Sequence, residues 1–186
     1  MTMMTSPAKT TLRLRPAAAL TCAGITLAML AGCSPQPEPT PTETPLFASE
    51  EEAFAAAEET YRAYMTAYNA IDIQDPTTFE ATREFVGGDF ATEERKTLSR
   101  FHAEGYTRTG STHILDFSGE TYTEAEAVVA RTCNDVSETD FVSTDGNSIV
   151  SSERQDVYAL DLTFTVQAST LRLTDAVAVE DPTCAP

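Results

Sequence analysis

The 186-residue chain lacks the short motifs that announce common chemistry. It has no Gly-rich phosphate loop, no Gly-x-Ser-x-Gly elbow and no Cys-x-x-Cys pair. Nucleotide cradling and a hydrolase nucleophile therefore have no local signature. Only two histidines occur, 11 residues apart, and without further ligands they make no zinc site. Basic residues are scarce: 12 Lys plus Arg stand against 29 Asp plus Glu, a formal net charge of −17. Such a surface repels phosphates, which argues against a nucleic-acid partner. Apart from one N-terminal segment, no apolar run approaches the roughly 20 residues of a membrane span. At 41% apolar residues the chain can still build a core. Its length suits one domain with appendages.

What is present begins with an address. Residues 1–15 carry Lys9, Arg13 and Arg15 and no acid, and residues 16–31 are apolar or small. A basic stretch before a short apolar stretch reads as a secretory signal. It ends in Leu30-Ala31-Gly32-Cys33, which resembles a bacterial lipobox. Small residues before the cysteine admit a peptidase, and the Cys33 thiol accepts a diacylglyceryl group. The alternative is an ordinary signal with an incidental cysteine. The next segment, residues 34–45, holds five prolines in twelve residues and favours an extended spacer. A tether is what a lipid anchor requires; a recognition site for a proline-binding partner is the other use of such a stretch. The expected organisation is a signal peptide over 1–32, lipidated Cys33 with a tether over 33–45, and a folded domain over 46–186. Two or three acyl chains would hold the protein at the outer face of the cell membrane. Removing 1–32 leaves 9 basic residues against 29 acidic ones.

Cys22 leaves with the signal, which makes Cys133 and Cys184 an even pair in an exported chain. Outside the cytoplasm such a pair usually oxidises. The bridge would close a loop of about 50 residues, worth about 4 kcal/mol by chain entropy. A redox or metal pair is the alternative, with neither Cys-x-x-Cys spacing nor clustered histidine behind it.

The domain opens with an S-x-x-E capping box, Ser49 and Glu52. Phe54, Ala57, Tyr61, Tyr64, Met65, Tyr68 and Ile71 form one apolar stripe, predicting a helix to about Ile71. Asp75-Pro76 predicts a second short helix over 76–86, broken at Gly87-Gly88. A third opens at Thr92, buries Leu98 and Phe101 and ends at Gly105. The period then falls to two. Residues 107–118 alternate with His113, Leu115 and Phe117 on one face, and a second run covers 121–133 after Gly119. Asp145-Gly146 between Phe141-Val142 and Ile149-Val150 signals a hairpin. Residues 156–167 place Tyr158, Leu160, Leu162, Phe164 and Val166 on one face. Ala168-Ser169 turns the chain, and 170–180 places Leu171, Leu173, Val177 and Val179 together. Helices followed by about five to six antiparallel strands define an α+β domain, with N-terminal helices packed on a curved sheet.

This order resembles the nuclear transport factor 2-like superfamily, whose cystatin-like α+β cones curl a sheet around a long first helix. More closely, the chain is similar to small actinobacterial lipoproteins of that kind. The likeness rests on the lipobox, the Pro/Thr tether, the helix beginning Glu50-Glu51-Glu52-Ala53-Phe54, and Cys133-Asn134-Asp135-Val136-Ser137 with a terminal Cys184. It covers nearly the whole chain. Superfamily members include isomerases, dehydratases, ligand binders and scaffolds, so the resemblance implies a fold and no catalytic residue.

Several side chains are candidates for a pocket. His113 shares a strand face with Leu115 and Phe117, and is either an interior acid or base or a hydrogen-bonded histidine at the sheet edge. His102, beside Arg100 and Glu104, is expected in solvent. Tyr61, Tyr64 and Tyr68 line either a cavity or the core. Asp156 and Asp175 interrupt apolar faces, and either enter a cavity or mark strand ends. Asp135, Glu138, Asp140 and Asp145 crowd one loop region without EF-hand spacing, and no metal or other cofactor is expected. The expected function is a non-catalytic envelope lipoprotein that displays a binding domain for a small hydrophobic ligand or a neighbouring envelope protein. The rival is a cone-fold enzyme moving protons with His113 and an acidic residue.

Overall fold

The computed structural model describes residues 46–124 and 127–184. Cys33, the signal segment and the tether lie outside the described residues. The domain places helices against a curved antiparallel sheet, an α+β arrangement as expected. Its six strands divide into a four-stranded sheet and a two-stranded one.

α1 spans Glu50–Asn69. Its Ser49 cap accepts the Glu52 N–H at 3.2 Å, and the Glu52 carboxylate accepts the Ala48 N–H at 2.8 Å. Glu50, Glu51 and Glu52 meet the positive end of the helix dipole. Ala53, Ala57, Tyr61, Tyr64 and Met65 are buried along one stripe. Ile71, beyond the helix end, packs instead with Ile73 and Leu98.

The second helix is shorter and tighter than expected, a 3-10 helix at Pro76–Thr82. Asp75 caps it, accepting the Thr77 N–H at 3.0 Å. Coiling stops because Phe85–Gly87 are drawn onto the last strand: Gly87 N–H donates to the Leu173 carbonyl, and Leu173 N–H to Phe85, each at 2.9 Å. α2 then runs Gly88–Ala103, starting before the expected Thr92. Bend and helix start are one event at the glycine pair. Gly105 follows the helix end, as expected.

The strands are β1 (Thr107–Thr109), β2 (His113–Thr123), β3 (Ala127–Asp135), β4 (Asp140–Val142), β5 (Val157–Gln167) and β6 (Thr170–Val179). The main sheet has the order β2-β3-β5-β6, antiparallel throughout, and β1 pairs with β4. Two expected boundaries move. The single run over 107–118 splits at Gly110, which has φ +70° and where a Cβ would lie 1.8 Å from the Glu138 carbonyl oxygen. The chain must cross that backbone there. Gly119 is no boundary but the middle of β2, because the Phe54 ring rests on it: a Cβ would lie 2.2 Å from Phe54 Cγ. The Asp145-Gly146 turn does reverse the chain, with Ile149 N–H donating to the Phe141 carbonyl at 2.9 Å. Its return arm is only a bridge, between Val142 and Ser148.

Three bulges bend the sheet. They lie between Ile114 and Asp116 and between Gly119 and Thr121 in β2, and at Thr174, the extra residue between Leu173 and Asp175. A bulge curls a strand and reverses the inside–outside pattern beyond it. Leu171 and Leu173 are buried, whereas Val177, expected with them, turns outward and is 50% exposed. The main core joins Ala53 and Ala57 to Val128, Ala130, Leu162 and Phe164. Cys133 and Cys184 are bridged, with their Cα atoms 5.4 Å apart, and pack with Val157, Ala159 and Val179. Beside them Arg131 holds Asp161 through two nitrogens, at 2.8 and 3.1 Å, and reaches Asp181 at 3.4 Å. Bond and ion pairs together fasten the tail to the outer face of the sheet.

Candidate functional site

Towards its C-terminal end α1 presents tyrosines instead of alanines, and the sheet does not close on them. A cavity of about 430 Å³ remains between α1, α2, β5, β6 and the loop after β3. Volumes of this order hold small organic ligands. Tyr61, Tyr64, Asn134, Leu162 and Leu173 are among its buried lining, and the exposed Glu93 marks where it meets solvent.

The aromatic rings form a connected wall. Tyr64 lies 6.0 Å from Tyr61, 5.8 Å from Tyr68 and 5.7 Å from Phe90, centroid to centroid. The guanidinium of Arg108 sits 4.9 Å over the Tyr68 ring and donates to the Asn69 carbonyl at 2.6 Å. Polar tips are anchored. Asn134 Nδ2 donates to the Tyr61 hydroxyl at 2.6 Å. Tyr61 accepts there, which leaves its own proton available to a guest. Thr132 backs Asn134, its hydroxyl 3.4 Å from Asn134 Oδ1 and donating to the Asp116 carbonyl at 2.8 Å.

Glu94 of α2 is the half-buried acid of the wall. Tyr64 donates to its Oε1 at 2.9 Å, and Thr82 to its Oε2 at 2.8 Å. Burial raises its pKa above the ordinary glutamate range, with the two hydroxyl donors pulling the other way. Burial also pushes Tyr61, Tyr64, Tyr68 and Tyr158 above the usual phenol value, so all four stay protonated at neutral pH.

Of the residues singled out in the sequence, Tyr61, Tyr64 and Tyr68 meet in this cavity. His113 does not. The bulge after Ile114 leaves Ile114 and Phe117 packed on the core, while Leu115 is 55% exposed. His113 is exposed too, its Nε2 3.4 Å from Glu138. His113 therefore does not line this cavity. Asp156 is exposed, and its backbone carbonyl accepts the Val136 N–H at 2.7 Å. Asp175, just past the Thr174 bulge, is exposed and accepts the Ala176 N–H at 2.9 Å. His102, expected in solvent, is half-buried with Nδ1 2.8 Å from the Ile73 carbonyl oxygen. Among the described residues no group of three or more His, Cys, Asp or Glu is placed to hold a metal ion.

Glu94, Asn134, Tyr158 and Arg154 also line the cavity and were not foreseen as site residues. Two signals were available. Phe90, Glu94 and Leu98 repeat at four residues, so the acid interrupts an inward stripe. Val128, Ala130, Thr132 and Asn134 alternate along β3, so its inward face turns polar at one end.

No family model and no curated protein matches the sequence. Solved structures do match its shape. The intermembrane-space region of chloroplast protein ARC6 superposes with a TM-score of 0.50 at 12% identity, covering 69% of this chain and 97% of that one. A protein with a cystatin-like fold from Caulobacter vibrioides gives 0.41 at 16% identity, covering 71% and 92%. Aln2 from a Streptomyces species gives 0.41 at 14% identity, covering 69% and 90%. The fold is α+β, helices against a curved antiparallel sheet. At these identities the likeness is one of architecture and carries no activity.

Proposed function

We propose that the protein is an exported lipoprotein, anchored through acylated Cys33, whose cone binds a small, mainly apolar molecule without chemical change. The observation that carries the binding role is the cavity itself, apolar over most of its wall and supplied with a few fixed polar groups. The lipobox and tether support the anchor, and the buried Cys133–Cys184 bridge fits an oxidising compartment. Anchor and guest are tested separately. Cys33→Ala should move the protein from the membrane fraction to the soluble one; an unchanged membrane fraction refutes the anchor. Native mass spectrometry of the full protein, purified from its own envelope in mild detergent, should find a stoichiometric small molecule. Protein partners with no small molecule would make the cone an interaction module instead.

A further inference from the structure

The charge of the guest can be read from the same cavity, provided that the cavity is a binding site. Six ion pairs occur among the described residues, and none involves Glu94. Its partners are two neutral hydroxyls, those of Tyr64 and Thr82. A carboxylate drawn from water and given only neutral donors is under-compensated; a cation is the partner that restores the balance.

The surroundings suit a cation. Tyr61, Tyr64, Tyr68, Tyr158 and Phe90 line the same cavity, and the negative faces of aromatic rings attract ammonium groups. Glu93 adds a second carboxylate at the opening, already paired to Lys96 at 3.1 Å. The one cationic side chain on the lining, Arg154, is tied at its Nη2 to the Val136 carbonyl at 2.8 Å. Arg95, next to Glu94 in sequence, acts on it only through its field, the weakest of the influences there, and makes no ion pair with it. The net charge of −17 draws cations to the protein at long range.

We infer that the cavity takes an organic cation: an ammonium group set against Glu94 and the tyrosine wall, with an apolar body among Leu160, Leu162 and Leu173. No covalent step is implied.

Three probes of nearly equal size test this: 2-phenylethylammonium, 2-phenylethanol and 3-phenylpropionate. Each is titrated calorimetrically at neutral pH against the full protein in detergent. The ammonium ion should bind at least about tenfold more tightly than the other two. Glu94→Gln keeps the shape, and its amide can accept from one of the two hydroxyls and donate to the other, so it should abolish that preference without collapsing the wall. Glu59→Gln, exposed on α1 and away from the lining, should leave the preference intact. The ranking on the unaltered protein needs no variant to fold. Equal or tighter binding of the alcohol or the carboxylate overturns the cation while leaving the cavity a binding site. An unchanged preference in Glu94→Gln removes Glu94 as its cause. If none of the three binds and no small molecule accompanies the purified protein, both readings fall.

Discussion

In its first half α1 sets Ala53 and Ala57 on the sheet, both fully buried, and β2 answers with Gly119. In its second half the same helix sets Tyr61, Tyr64 and Tyr68 against the same sheet, and a cavity of about 430 Å³ opens. Small side chains let helix and strand backbones approach until the space between them is filled. Phenols hold the two apart. Their hydroxyls are fastened, Tyr61 to Asn134 and Tyr64 to Glu94, so the rings stand as struts rather than collapsing inward. One helix thus passes from a closed half to an open half along its length as its inward side chains change from alanine to tyrosine.

The contrast can be broken from the closed half first. Phe164→Ala should cost about 3–5 kcal/mol in chemical denaturation, because Phe164 is fully enclosed. Leu160→Ala, on the half-buried cavity wall, should cost about 1 kcal/mol. Equal costs would mean that the two halves are packed alike. Next comes Gly119→Ala, whose methyl must displace the Phe54 ring. A loss of about 1–3 kcal/mol is expected in thermal unfolding, and no loss would show that the close approach is slack.

The smallest effect sharpens the open half. Folded Glu94 holds its proton more tightly than an unfolded glutamate. Its contribution is therefore fully present in acid below the ordinary glutamate range. It is lost as the pH rises through the raised folded value. A pH series of melting temperatures should show that extra decline in the unaltered protein and not in Glu94→Gln. Superimposable profiles would contradict a desolvated Glu94.

Much of this contrast was legible in the sequence, and the illegible part has a specific cause. The α1 stripe, the β5 alternation, the Ala168-Ser169 turn (φ 50° and 65°) and the cysteine pair depend on local period, local conformation or simple counting. The outward positions of His113, Asp175 and Val177 depend on bulges after Ile114 and at Thr174. A period-two reading assumes unbroken alternation, so one inserted residue reverses every inference beyond it. The 3-10 helix stops short because the Phe85–Gly87 backbone finds partners on β6, a tertiary fact with no local mark. Glu94 escapes a sequence reading because acids near a helix start usually face water, although its four-residue spacing from Phe90 and Leu98 places it inward.

The tail bond also has a mechanical side. β6 is an edge strand, and tension on its far end would peel it from β5 one hydrogen bond at a time, the weakest direction of loading. With Cys184 joined to Cys133, that tension enters the sheet at β3, two strands further in, and bypasses the β5–β6 seam. The edge strand is thereby spared a load applied at Cys184.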